Sequence, residues 1–293
     1  MKSADAIEGA TLIGAMLAYP MYGTLVCQVA LYFKRFPDDL RHLKVLVALI
    51  LLTSSVGIVI NVNLIWYYCI QRGIGVDPHI FQFCDHWTIS AFFIPNEMTC
   101  FLAEALFLKR MWTLSKKRYP TVLAFVPFML GWVFTIVYVQ GMFRHWCYPE
   151  MLRNEPYLFT CYGLRFLSDG TIAGTMCTLL YQQMSDMPTG CRSNRPNFVR
   201  IVNSLVAWTI STGLVMWVSA IAWVLSYILL PKTYVALAIY LIRGNIYANA
   251  VLALLHVRTR YRKVADEVVS LHVQVQVDTV SGNGGGLTLR SRT

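Results

Sequence analysis

Seven apolar stretches, each about 20 residues or longer, constrain this chain more than anything else in its sequence. They run approximately from Gly9 to Phe33, Val45 to Ile70, Ile89 to Leu108, Thr121 to Gly141, Thr160 to Met184, Ile201 to Leu230 and Tyr234 to Val257. At a rise of about 1.5 Å per residue, a helix of about 20 apolar residues crosses the roughly 30 Å of hydrocarbon in a bilayer. A soluble fold could not hide so much apolar surface: 56% of the 293 residues are hydrophobic, 14% are charged and mean hydropathy is +0.51. The predicted fold is therefore all-α, a polytopic bundle of seven transmembrane helices over residues 1–263. A cytoplasmic tail over 264–293, with Ser281-Gly282-Asn283-Gly284-Gly285-Gly286, is expected to be disordered. The first apolar segment is too long for the core of a cleaved signal and reads as a signal anchor.

The loops set the expected orientation. Eighteen Lys and Arg fall on one side of the predicted bundle and five on the other. The rich side holds Lys34, Arg35, Lys116, Lys117, Arg118, Arg192 and the tail. Because cationic loops stay in the cytoplasm, this places the C-terminus inside and, with seven crossings, the N-terminus outside. Trp66, Tyr67, Tyr68, Trp87, Trp146 and Tyr148 fall at the opposite helix ends, where an interfacial aromatic belt is expected. The same segregation accounts for the net charge of +10 without a nucleic-acid partner. The expected partner is instead the bilayer, of plasma membrane or endomembrane, with Arg258, Arg260, Arg262 and Lys263 on anionic lipid headgroups at the cytoplasmic face.

Eight cysteines show neither a Cys-x-x-Cys pair nor a zinc-ligand spacing, and most read as small apolar packers. Cys84 and Cys147 fall in outer segments, where a disulfide could tie a loop to the top of the third helix; two free thiols are the alternative. The nearby His79, His86 and His145 match no metal-ligand spacing, so no metal or other cofactor is expected.

Particular runs carry a resemblance. Thr209-Ile210-Ser211-Thr212-Gly213-Leu214 in the sixth span, and Tyr247, Asn249, Leu252, Leu255 and Arg258 in the seventh, resemble a family of uncharacterised basidiomycete seven-helix membrane proteins, domain of unknown function 6534. The likeness is clearest over 201–258 and extends to Tyr32-Phe33-Lys34-Arg35-Phe36-Pro37-Asp38-Asp39 after the first helix. Asn245, Ala250 and His256 depart from the family's pattern. The resemblance implies a fold and topology but no chemistry, because the family has no established activity.

The most informative residues are ionisable groups inside the spans, which cost a few kcal/mol at the bilayer centre unless they face inward and find partners. Glu97 and Glu104, seven apart, share one face of the third helix. Arg165 and Asp169, four apart, can pair on the fifth. Arg243 lies near the depth of Glu97. The expectation is a buried polar cluster in which Glu97 meets Arg243, with Asn245 and Asn249 extending it inward. It serves either as a fixed ion pair that sets helix register or as a ligand or proton site. A third reading lets some of these charges snorkel to the interface. Pro95, just before Asn96 and Glu97, frees a carbonyl one turn back, and a kink there would make room for a polar pocket, although such kinks also occur without ligands.

Three function classes then compete. Seven helices with an outer N-terminus is the receptor arrangement, and a small-molecule or lipid ligand is the matching expectation. Leu108-Lys109-Arg110-Met111-Trp112 holds no Asp-Arg-Tyr, and the seventh span has neither an Asn-Pro-x-x-Tyr run nor a lysine for retinal. Receptor-like therefore means likeness of topology alone. An enzyme is disfavoured because no Gly-x-Ser-x-Gly or His-Glu-x-x-His run is present and the histidines lie outside the bundle interior. A transporter or channel using the buried charges is the third class, without the inverted repeats that such folds often carry.

Overall fold

The computed structural model describes residues 2–67, 87–114, 119–145, 155–185, 196–230 and 235–256. Among them the chain is all-α, in seven helices: α1 Lys2–Arg35, α2 Arg41–Ile65, α3 Trp87–Leu114, α4 Tyr119–His145, α5 Glu155–Ser185, α6 Pro196–Leu229 and α7 Val235–His256. Five have segments long and apolar enough to cross a membrane: Gly9–Arg35, Arg41–Ile65, Ser90–Thr113, Thr121–Gly141 and Val235–His256. Gly213–Leu229 of α6 is a shorter apolar helix. The chain is a multi-pass membrane protein. The expected fifth span is a helix of 31 residues that carries Arg165 and Asp169 and lies outside the apolar group.

Lipid rather than water explains the outer surface. Val59, Leu123, Ile136 and Leu229 are each more than 60% exposed, and large apolar side chains line the outside of α1, α2, α4 and α6. A soluble monomer rarely leaves contiguous apolar patches of that extent uncovered. Burial is uneven between spans. About a third or less of the α1, α2 and α4 spans is buried, against 67% of α3 and 72% of α7. The two helices at the centre are thus α3 and α7, and both carry ionisable side chains.

Close approaches are made where side chains are small, as packing between membrane helices requires. A Cβ on Gly14 of α1 would lie 2.7 Å from the Cα of Ala238 in α7, so those two backbones nearly touch. Elsewhere α2 packs on α1 and α3, α4 on α3 and α5, and α6 on α5, while α3 also meets α5. The short α1–α2 connection is closed by polar contacts: Tyr32 Oη donates to Asp39 Oδ2 at 2.8 Å, and Lys44 Nζ donates to the Pro37 carbonyl. Tyr32 also packs its ring on Phe36 and His256.

Apolar packing is divided into two clusters. One gathers Phe92, Phe93, Tyr162, Trp223, Tyr240 and Leu241; the other includes Leu25, Ile50, Phe107, Ile172, Val251 and Leu252. Along α3, α5 and α7 the chain passes from the first cluster to the second, and the charged residues sit at the passage.

Candidate functional site

The site is a layer of five buried charges on three helices: Glu97 and Glu104 from α3, Arg165 and Asp169 from α5, and Arg243 from α7, each 4% exposed or less. Helical geometry supplies their convergence. Glu97 and Glu104 are two turns apart on one face, and Tyr240 and Tyr247 are likewise two turns apart on α7 with Arg243 between them.

Arg165 is the hub. Its Nη2 donates to Glu104 Oε1 at 2.7 Å and its Nη1 donates to Glu97 Oε2, so one guanidinium fork spans both glutamates. Its stem crosses α4 at Gly131, where a Cβ would come within 3.0 Å of Arg165 Cγ. The guanidinium carbon then lies 4.5 Å from the centre of the Trp132 ring, whose electron-rich face attracts a cation. Trp132 contributes a second contact, its Nε1 donating to Glu104 Oε2 at 3.2 Å. Glu97 is completed by Tyr240, whose hydroxyl donates to Oε1 at 2.8 Å.

The second centre is Asp169. Tyr247 donates to its Oδ2 at 2.5 Å and accepts a bond from Arg243 Nη2 at 3.3 Å. Arg243 itself stands 3.9 Å from that carboxylate oxygen. It also lies near the faces of Tyr162 and Tyr247, 5.9 and 5.3 Å from their centres. Arg243 Nε, Arg165 Nε and Ser168 Oγ are buried without a hydrogen-bond partner.

The structure brings the five charged residues into one layer but exchanges the expected partners. Glu97 meets Arg165 rather than Arg243, and Arg243 faces Asp169. Arg165 and Asp169, although one turn apart, turn to other helices instead of to each other, because partners on α3 and α7 satisfy them in the interior. Asn245 and Asn249 do not extend the layer; they fasten α7 to α1. Asn245 Nδ2 donates to the Ala18 carbonyl at 3.4 Å and Asn249 Nδ2 to the Met21 carbonyl at 3.0 Å, while Thr24 donates to Asn249 Oδ1 at 3.1 Å. Those carbonyls lie near Pro20, within a helix whose bonding a proline interrupts.

Trp132, Tyr240 and Tyr247 complete the carboxylates and were not among the expected site residues. Tyr240 and Tyr247 carried a legible signal, since their spacing equals that of Glu97 and Glu104; Trp132 carried none. The candidate disulfide pair Cys84 and Cys147 and the basic cluster Arg258, Arg260, Arg262 and Lys263 lie outside the described residues. Among the described residues no three His, Cys, Asp or Glu side chains gather as metal ligands.

Comparison with known proteins adds one finding. The family of unknown function DUF6534 matches residues 165–260. That match opens on the hub arginine and covers Asp169, Arg243 and Tyr247, so it includes the α5 and α7 sides of the charged layer and leaves out α3. It begins earlier than the run at 201 that carried the resemblance and does not take in the Tyr32–Asp39 segment. No curated protein and no solved structure matches the chain.

Proposed function

We propose that the chain is a receptor-like or sensor-like seven-helix protein, with the fold and topology that the DUF6534 resemblance implies, its N-terminus outside and its C-terminus in the cytoplasm. The uneven distribution of Lys and Arg between loops supports this orientation. Crossing by α5 and α6 follows in this reading from their lengths, 31 and 34 residues, and from the charged face that α5 turns inward. The resemblance to fungal members over the rest of the chain belongs to the same reading.

The observation that carries it is the Arg165 fork between two glutamates on α3. A guanidinium held between carboxylates two turns apart has two partners to exchange, and axial movement of α5 along α3 favours one over the other. Helix shifts at packed interfaces with alternative ionic partners are an established means of switching. A ligand that binds the two arrangements unequally would shift their populations.

Spin labels at Thr113 of α3 and Thr178 of α5, both exposed, read that movement in lipid nanodiscs. The expected outcome is two distances whose ratio changes when Glu104→Gln removes one partner. A single unchanged distance in both proteins would refute the switch.

A transporter is the second reading, favoured by one specific count. The layer holds three carboxyl groups against two guanidinium groups, one acid more than the bases neutralise. An uncompensated charge in the membrane interior marks proton and ion pathways. Vesicles containing the purified chain, a pH-sensitive dye and imposed proton, Na⁺ or K⁺ gradients separate the two. Flux abolished by Glu97→Gln supports transport; leakage no greater than that of empty vesicles supports the receptor-like reading.

A further inference from the structure

A second polar site lies outside the charged layer, between α2, α3 and α7. Its walls include Ser54, Gly57 and Asn61 of α2, Asn96 and Thr99 of α3, and Gly244 of α7, around a small cavity. Ser54, Gly57 and Asn61 fall on one face of α2, and the missing side chain of Gly57 leaves room beside the Pro95 ring, 3.8 Å from where a Cβ would stand. On the facing side Asn96 packs against Gly244, where a Cβ would collide with its Oδ1.

What makes the cavity informative is its unpaired polar atoms. Asn61 is 1% exposed, and neither its Oδ1 nor its Nδ2 has a hydrogen-bond partner; Ser54 Oγ, in a residue 7% exposed, also has none. Neighbouring groups are satisfied: Thr53 and Thr99 hydroxyls share a bond of 2.8 Å, Thr99 donates to the Pro95 carbonyl, and Asn96 Nδ2 donates to the Tyr240 carbonyl. An amide buried without partners loses its hydration and gains nothing in return, and Asn61 would incur this at both ends.

We infer that this cavity is a binding site for water, held between Asn61 and Ser54 of α2 and the Asn96 side of α3. The occupant must both donate and accept, because Asn61 presents an unpaired N–H as well as an unpaired oxygen. A monovalent cation would take the oxygens, leave that N–H unpaired and find no carboxylate among the lining residues. Size points the same way, since the space left free by the lining atoms suits roughly one or two water molecules. The site also touches the charged layer through Tyr240, whose carbonyl receives Asn96 and whose hydroxyl donates to Glu97. Water there joins α2 to the helices that carry the charges.

The test is radiolytic hydroxyl labelling of the full chain in nanodiscs, read by mass spectrometry, because bound water generates radicals beside side chains that bulk solvent does not reach. Phe92 and Leu241, buried linings of the cavity, are expected to be oxidised several-fold faster than the equally buried Phe128 and Leu252, which do not line it. Oxidation of Phe92 and Leu241 at the rate of those controls would show a dry cavity and overturn the inference. Thermal stability compared in Na⁺, K⁺ and choline chloride gives the second arm. Stabilisation specific to one metal cation and absent in Asn61→Leu would also overturn it, in favour of an ion site; equal stability in all three supports water. The labelling arm uses the unaltered protein and stands even where Asn61→Leu fails to fold.

Discussion

Replacing Arg165 by leucine removes the only cation among the described residues within ion-pair distance of Glu97 and Glu104, and leaves most of the side-chain volume in place. Both glutamates are buried, and each retains a neutral donor, Tyr240 for Glu97 and Trp132 for Glu104. Breaking a buried ion pair by removing one partner costs about 3–5 kcal/mol, because the remaining charge stays without compensation. Protonation of one glutamate would recover part of this, so the lower end is the better expectation for the wild-type background. A loss of about 3 kcal/mol lowers the unfolding midpoint by on the order of 10 °C for a chain of this size. The assay is thermal unfolding in detergent, followed with a thiol-reactive dye, for which the buried Cys100 and Cys161 act as internal reporters. Combining Arg165→Leu with Glu97→Gln and Glu104→Gln removes the stranded charges and is expected to recover most of the loss. An Arg165→Leu protein that unfolds within 1–2 °C of the parent, a shift of well under 1 kcal/mol, would refute the account of Arg165 as the hub.

Four other outcomes are expected. Tyr247→Phe deletes the donor to Asp169 and the acceptor of Arg243, a loss of about 1.5–3 kcal/mol visible in the same thermal assay. Gly14→Val drives a branched side chain into the Ala238 backbone and is expected to cost about 1–3 kcal/mol, whereas Gly23→Val, with no heavy atom within 4 Å of its Cβ position, is expected to be near neutral. Asn249→Leu releases the Met21 carbonyl and the Thr24 hydroxyl and should lower stability by about 0.6–1.7 kcal/mol, the range for hydrogen bonds between membrane helices. An epitope after Thr293 is expected to bind antibody only once cells are permeabilised; staining of intact cells would reverse the orientation.

The helices were legible because apolar length is a property of the local sequence, and the structure places helices on all seven predicted stretches within the described residues. Which charges meet was not legible, because that depends on how helices are rotated and how high each one sits. Glu97 and Arg243 have similar depths along their own helices, yet it is Arg165 that reaches Glu97, its stem passing close to Gly131 of α4. Spacing on one helix revealed Glu97 with Glu104, but Arg165 and Asp169, equally well spaced, chose partners elsewhere. Asn245 and Asn249 look like continuations of a charged face in the sequence. Their amides instead meet carbonyls around Pro20 of α1, a demand set by the far end of the chain. Nothing in the sequence marks Asn61 and Ser54, because neutral polar residues are ordinary in an apolar helix; the hollow they form with Gly57 and Gly244 sets them apart.

The near contact of Gly14 with Ala238 also bears on the order of assembly. Among the described helices α7 is synthesised after the others, yet it is the one that meets α1 at Gly14, and it supplies Tyr240 to Glu97 and Tyr247 and Arg243 to Asp169. Until it arrives, Arg165 can already pair with the glutamates of α3, but Asp169 lacks the contact with Arg243, and α1 has its packing on α2. Completion of the charged layer thus waits on Val235–His256, and a ribosome stalled before Val235 leaves Asp169 without Arg243 and Tyr247.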